Sequence, residues 1–459
     1  MTRTVHSGRW TRADRAAHPF RYLPVELPPG TATLTVTLDY DRSAGVLDLG
    51  CAGPSGFRGW SGGARSAYGI GPERATPGYL PGPLEPGTWH VILGLHRVGP
   101  DGVGWQVTAE TGPAPATPPG WTSPPQAAAA PSTRDSPHRT LPAADGLRWL
   151  AGDLHSHTVH SDGALTPDEL GLLAAGRGLD FLAVTDHNTV SHHATLAGAS
   201  ARTGIALLPG QEVTTSTGHA NALGAIGWVD FRRPADDWLA GVEADGGLLS
   251  VNHPLAADCA WRQPLSRRPR HAEVWHSSWL DRRWGGPMAW WQAWDVDVVP
   301  VGGSDFHRAG ADAPPGAPTT WVACEAARVD AGDVLGAVLA GLRAGRVAVA
   351  AEPAAPVLLR IGDGHIGDGG GGGHDAGGHD AGGHAGGHDA GGHAGGHDAG
   401  GHAGGGPAGE LVALGADGLL LADPTGRRTA VRGDRAVLGD ARGPHWLEDH
   451  DTTVVALTA

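Results

Sequence analysis

Between residues 146 and 352, apolar runs of four to eight residues alternate with helical stretches and lead into clusters of polar side chains. This repetition restricts the fold more than any other feature of the chain. Runs this apolar need cover on both faces, which a parallel sheet between helices supplies. Strands are expected to end near Leu154, Thr185, Pro209, Val251, Trp275 and Val301. The polar clusters lie at or beside such ends: DLHSHTVHSDG at 153–163, TDHN at 185–188, GQE at 210–212, GHANALG at 218–224, VNHP at 251–254 and GGSDFH at 302–307. In an α/β barrel the C-terminal strand ends converge on one face, so residues far apart in sequence would meet there. The placement of the polar residues therefore favours barrel closure over an open sheet. The first helix is well marked: Thr166 as N-cap, Pro167 at the first turn, Glu169 closing a capping box, Leu165 and Leu170 as a staple, and Gly178 as terminator.

The flanks have a different texture. TLTVTLDY at 33–40 alternates, and GVLDLG, TWHVILGLH and GWQVTA follow with Gly/Pro turns between them, so residues 1–112 read as a small β-sandwich. From 113 to 145 the chain reads as an extended linker, with nine prolines among residues 113–142 and an alanine run at 127–130. The barrel is expected over 146–352 and a C-terminal β-domain over 353–459. A tract at 369–406, almost only Gly, His, Asp and Ala, interrupts that last unit. With no apolar residue larger than alanine it cannot build a core, and it is expected to be disordered. Its seven histidines (374, 379, 384, 388, 393, 397 and 402) would either gather zinc or nickel or form a passive insert.

Composition removes several classes. All 33 basic residues are arginine, so P-loop phosphate binding, lysine Schiff bases and pyridoxal attachment are excluded. A net charge of −15 argues against a general nucleic-acid coat and against a duplex partner. Cys51, Cys259 and Cys324 are too few and too scattered for a disulfide framework or a thiolate zinc site. With no apolar N-terminal leader and no run near ~18 apolar residues, the chain reads as cytoplasmic, with no membrane partner.

The 26 histidines are the anomaly. Any one of them alone reads as a hydrogen-bonded core or surface residue. Together, His155, His157, His187, His219, His253 and His307 with Asp162, Glu212 and Asp305 place six imidazoles and three carboxylates at one barrel mouth. Burying them is unfavourable unless cations neutralise them. Nine nitrogen and oxygen donors without sulfur suit two or three divalent ions of manganese, zinc or iron.

These motifs resemble the PHP (polymerase and histidinol phosphatase) domain, and within it the CehA/McbA-type metallohydrolases. HSHTVHSDG is similar to the first family motif and TDHN to the second. Glu212 and His219 resemble the third, and His253 and the Asp305/His307 pair the later ones. The resemblance implies a distorted (β/α)7 barrel holding two or three metals. His155, His157, Glu212 and Asp305 would hold the first, and Glu212 would bridge to a second held by His219 and His253. Asp162, His187 and His307 would hold a third. A bridging carboxylate sets two ions a few ångströms apart, where a shared water ionises near neutrality to become the nucleophile. Glu212, Asp162, Asp305 and His307 are the catalytic candidates. The expected reaction is hydrolysis of a small phosphoester: a phosphomonoester, nucleotide or short oligonucleotide. A carboxyl or carbamate ester on the same metals is the alternative, and a non-catalytic metal sensor or buffer is a second.

Arg262 is the candidate phosphate clamp, with a solvated surface arginine as its plainer reading. His276 stands where EVWN-like sequences carry asparagine, and it is expected to form a wall of the substrate site. His160, His192 and His193 are expected to be solvated loop residues. Trp275, Trp279, Trp284, Trp290, Trp291 and Trp294 are expected to be core rather than a substrate pocket.

Overall fold

The computed structural model describes residues 2–114, 117–121, 141–276, 286–294, 297–362 and 408–459. Most of the expected linker, the whole 369–406 tract, Trp279 and Trp284 lie outside the described residues.

Eight strands open the chain: β1 (Thr2–Trp10), β2 (Phe20–Leu27), β3 (Thr33–Tyr40), β4 (Gly45–Gly53), β5 (Gly56–Gly62), β6 (Ala67–Ile70), β7 (Gly87–Val98) and β8 (Val103–Gly112), with a short helix α1 (Arg12–Ala17). They form two four-stranded antiparallel sheets, β1-β8-β3-β6 and β2-β7-β4-β5. Alternation along each strand sends Val36, Leu38, Leu49, Cys51, Trp89, Val91, Leu93 and Val107 into one core between the sheets. The arrangement is a β-sandwich.

The central strands are β9 (Leu147–Asp153), β10 (Phe181–Val184), β11 (Ala206–Thr215), β12 (Gly218–Leu223), β13 (Leu248–Val251), β14 (His271–His276) and β15 (Val299–Gly303). They lie side by side in chain order. Between them run α2 (Pro167–Gly176), α3 (His193–Thr203), α4 (Ala235–Ala244) and α5 (Gly286–Trp294). Successive residues of β10 take opposite sides, as a covered strand requires. Leu182 and Val184 pack outward with Leu170, Ala174 and Leu196 of α2 and α3. Phe181 and Ala183 join Leu154, Leu208, Leu223, Leu248, Val299 and Val301 in an interior cluster. With Leu150 of β9, this one cluster draws on six of these strands, so the sheet is strongly curled. The helix at 167 begins as its sequence dictates: the Thr166 hydroxyl accepts from the Glu169 N–H and the Glu169 carboxylate accepts from the Thr166 N–H.

Strict strand–helix alternation is not observed, which corrects the (β/α)7 expectation. β11 does not stop near Pro209 but continues to Thr215, because it turns back into β12 as an antiparallel hairpin that pairs Glu212 with Asn221. A turn between Thr215 and Gly218 leaves no room for a crossover helix. Among the described residues the β13–β14 connection carries only a 3₁₀ turn at Ala257–Cys259. No backbone ladder joins β15 back to β9. Their C-terminal extensions meet instead at a single Ser156–Phe306 bridge, and the Thr320 hydroxyl binds both the N–H and the carbonyl of Gly302.

Two further strands, β16 (Thr319–Glu325) and β17 (Val347–Ala350), extend the curled sheet from β9, with α6 (Ala326–Asp330) and α7 (Val334–Arg343) between them. The C-terminal segment adds β18 (Val357–Ile361), β19 (Ala408–Leu414), β20 (Leu420–Ala422), β21 (Arg428–Ala430), β22 (Arg435–Arg442), β23 (His445–Glu448) and β24 (Val454–Thr458). β18, β19 and β22 form a separate three-stranded sheet. β24 pairs with β17, so β24, β23, β20 and β21 complete a thirteen-stranded sheet.

The sandwich is packed against the central unit. Trp60 and Ile92 share a cluster with Val213, Ala220, Phe231 and Trp238. Phe57 stacks on Trp228 at 3.8 Å between ring centroids. Of the expected core tryptophans, Trp275 and Trp291 are buried in one cluster with Trp290 and Trp294 packed on it.

Removing the capping hydroxyl with Thr166→Ala should destabilise the fold by about 1 kcal/mol. Chemical denaturation followed by tryptophan fluorescence measures this, and an unchanged midpoint would contradict the role of the cap.

Candidate metal centre

All nine expected donors converge at one end of the central sheet, with His219 supplied by the N-terminal end of the antiparallel β12, and they fall into three overlapping groups. In the first, His155 Nε2 stands 3.2 Å from Asp305 Oδ1 and 3.4 Å from Glu212 Oε1. His157 Nε2 stands 2.9 Å from Asp305 Oδ1 and 3.5 Å from Glu212 Oε2. In the second, Glu212 Oε1 faces His219 Nδ1 at 3.0 Å and His253 Nε2 at 3.2 Å. In the third, Asp162 Oδ1 faces His307 Nε2 at 3.3 Å and His187 Nε2 at 3.6 Å, and the His157 ring stacks against both the His187 ring at 4.3 Å and the His307 ring at 4.2 Å. Each group brings its ligand atoms close enough to one another to share an ion.

The groups differ in access. His155, His157 and Glu212 have no exposure. The side chains of Asp162, His187 and His307 are 43%, 23% and 21% exposed, so the third group faces the opening.

Several contacts hold these side chains in place. Asp153, at the end of β9, is buried and accepts the N–H groups of His155, Ser304 and Gly316, which locks the extensions of β9 and β15 together. Gly303 passes so close to them that a Cβ there would lie 2.4 Å from His155 Cβ and 2.5 Å from Glu273 Oε1. Asn188, His253 and Asp305 adopt left-handed backbone conformations that non-glycine residues rarely take.

The sequence reading missed Glu273. Its Oε1 lies 2.7 Å from His155 Nδ1 and its Oε2 accepts the His253 N–H, which turns His155 Nε2 toward Glu212 and Asp305. Two outer-lying partners were also missed: Asn252 donates to Glu212 Oε1, and Thr214 Oγ1 meets His187 Nδ1 at 2.6 Å. His276 is fully buried with Nε2 3.4 Å from Asp305 Oδ2, and forms a further possible donor group with His155, His253 and Glu273. Arg262 lies outside these groups; it is exposed and its guanidinium donates to the Ser216 carbonyl.

The expectation of solvated histidines at 160, 192 and 193 is corrected. His192 is buried, with Nδ1 3.1 Å from Asp186 and Nε2 near the carbonyls of Val184 and Gly210, and burial pulls its pKa down to about 4. His193 binds the same Gly210 carbonyl, and His160 Nδ1 meets Ser191 Oγ at 2.7 Å. Strand-end carbonyls and short polar side chains satisfy these rings where water was expected to.

The electrostatics fit a cation centre. Burial works against an imidazolium at His187, but Glu212 and Asp162 outweigh it and raise its pKa to about 10. Burial likewise opposes His155, and Glu273, Asp305 and Glu212 hold it well above the ordinary range. His157 is pushed the other way, to about 4, by burial and then by the neighbouring His307 and His187. Protons thus gather where positive charge is demanded, while His155 Nε2 and Glu212 Oε2 lack an aligned hydrogen-bond partner. The donor set and these orphaned atoms suit divalent ions.

No family model matches the chain. A segment of 84 residues is 45% identical to a 3',5'-nucleoside bisphosphate phosphatase of Chromobacterium violaceum, covering 18% of this chain and 29% of that protein. Another of 65 residues is 45% identical to the 5'-3' exoribonuclease Rnm of Escherichia coli, covering 14% and 22%. The matches thus span less than a third of either relative. Among solved structures, a two-domain protein from Bacteroides vulgatus containing a predicted PHP-like metal-dependent phosphoesterase aligns over 72% of this chain and 99% of its own, at 16% identity and a TM-score of 0.38.

Asp48 on β4 supplies a pH test. Burial pushes its carboxyl up to about 7, with His187 pulling weakly the other way. A folded-state pKa above the unfolded 3.8 favours the fold at low pH and loses that contribution as pH rises through about 7. In chelator-treated protein, wild type should therefore lose stability relative to Asp48→Asn between about pH 4 and 7, then run parallel to it. Parallel curves throughout would refute the shift.

Proposed function

We propose that the chain is a metal-dependent phosphoesterase of the PHP type, with β9–β15 as its distorted barrel. Its substrate would be a small phosphomonoester, a nucleotide or a short oligonucleotide. The observation that carries this reading is the Glu212 carboxylate, whose two oxygens are shared between the first and second donor groups and which also meets His187 of the third through that ring's other nitrogen. His155, His157, Glu212 and Asp305 would hold one ion, Glu212, His219 and His253 a second, and Asp162, His187 and His307, with His157 beside them, a third. Divalent ions held there would polarise phosphoryl oxygens and lower the pKa of water.

The protein's own part is orientation and proton placement. Glu273 keeps the His155 proton on Nδ1, and Asn252 fixes one Glu212 oxygen by donating to it. His155, His157 and Glu212 are shut off from bulk water, while the partly exposed Asp162, His187, His307 and Asp305 mark the side from which a phosphate would approach. The names of the partial relatives, a nucleoside bisphosphate phosphatase and a 5'-3' exoribonuclease, support phosphoester chemistry. A net charge of −15 disfavours a long polymer groove. No feature of the donor set favours the carbamate-ester alternative or a non-catalytic sensor.

Metal analysis of the purified full chain, followed by a phosphate-release screen over nucleoside bisphosphates, nucleotides and aryl esters, tests the reading. Glu212→Ala should abolish turnover and remove more than about one equivalent of metal, because one carboxylate serves several ions. An active variant at full occupancy would overturn the bridging assignment, and hydrolysis of aryl carboxyl esters alone would overturn the phosphoester one.

A further inference from the structure

The sandwich reaches the third donor group through its loops. Arg65, between β5 and β6, donates from Nη1 to the Ser161 carbonyl at 2.8 Å and from Nη2 to the Val159 carbonyl. Both carbonyls belong to the turn that leads from His157 to Asp162. A second tie falls on the other side of the group. The Gly78 N–H donates to Ser191 Oγ at 3.0 Å, and the Gly78 carbonyl accepts from Thr189 Oγ1 at 2.9 Å, just past His187. Ser191 Oγ also meets His160 Nδ1, which stitches the two loops together. Ser161 Oγ donates in turn to the buried Asp186 carboxylate at 2.6 Å, beside His187 in sequence.

Asp162 and His187 are the third-group donors that these loops carry. By contrast, the first and second groups are braced by Asp153, Glu273 and Asn252 of the central unit itself. Asp162 is the most exposed ligand candidate, at 43%, so its position depends on its turn rather than on surrounding packing. The Arg65 guanidinium spans two carbonyls with a rigid fork, which a single ammonium group cannot reproduce.

We propose that Arg65 is a positioning residue for the third cation site, so that the N-terminal sandwich is an integral part of the metal centre. The inference rests on the metal-centre reading above. It makes sandwich docking and third-cation binding mutually reinforcing, since a coupling between two events acts equally on both.

The test titrates Mn²⁺ into the full-length, chelator-stripped chain by calorimetry, with metal analysis of the loaded protein. Arg65→Ala should weaken the last equivalent by about 10–100-fold while the tighter ones keep their affinity. Arg65→Lys should recover only part of that loss, and added guanidinium ion should restore part of it in Arg65→Ala. Ser191→Ala removes the Gly78 N–H bond and the His160 contact without touching Arg65 or the Thr189 bond, and should weaken the same equivalent if Arg65→Ala does not fold. Unchanged titrations in the variants, or a uniform loss of all equivalents from folded protein, would overturn the inference alone. A wild-type chain that takes up no Mn²⁺ would overturn the metal-centre reading and this inference together. A chain that binds the full set yet releases no phosphate would overturn only the substrate class.

Discussion

Five imidazoles stand within 3.5 Å of one carboxylate, that of Glu212. Glu212 is fully buried, and an ionised carboxylate removed from water meets a penalty on the order of several kcal/mol unless positive charge or donors replace its hydration. A single strand can present side chains only on alternate residues, so donors must arrive from several strand ends at once. The curled sheet is the geometry that delivers them. Its interior is apolar below, where Phe181, Leu208 and Val301 fill it, and polar only at the mouth. The same carboxylate that would anchor cations thus sets which end of every strand carries function.

Bringing donors to one point strains the backbone locally. Asn188, His253 and Asp305 hold left-handed conformations with φ of 55°, 24° and 53°. Such conformations are unfavourable by about 1–3 kcal/mol each and persist where the surroundings over-determine them. Asn188 shows how this is done: its side chain bonds both the N–H and the carbonyl of Thr214, tying the loop after β10 to the hairpin that carries Glu212. The sandwich braces neighbouring loops from outside through Phe57, Trp60 and Gly78.

The convergence of the donors was legible because it rests on local rules: HxH on a strand extension, polar residues at strand ends, a capping box before Pro167. What escaped depends on irregularities and on contacts between distant segments. Glu273 and His276 are three residues apart, so ideal alternation would send them to opposite faces. A register shift between Glu273 and Trp275 lets both join one donor group. Arg65 lies some hundred residues before the turn at 159–161 that it binds, within a unit whose own pattern speaks only of a sandwich. The strict barrel failed for a related reason: nothing in GQEVTTSTGHANALG distinguishes a hairpin from two strands separated by a crossover until the pairing of Glu212 with Asn221 is known.

The pairing of β24 with β17 bears on how the molecule comes into being. Residues 348–350 find their partners at 456–458, more than a hundred positions later, and β23 and β20 join the ladder of the central sheet through that strand. A nascent chain emerging from the ribosome can therefore assemble the sandwich and β9–β15 while this flank of the central sheet still waits. Until its final strand arrives, β17 presents an unpaired edge of Val347, Ala348, Val349 and Ala350, the kind of apolar template on which chains associate wrongly. Synthesis of residues 454–458, rather than of the donor motifs, sets when the sheet is safe from such encounters.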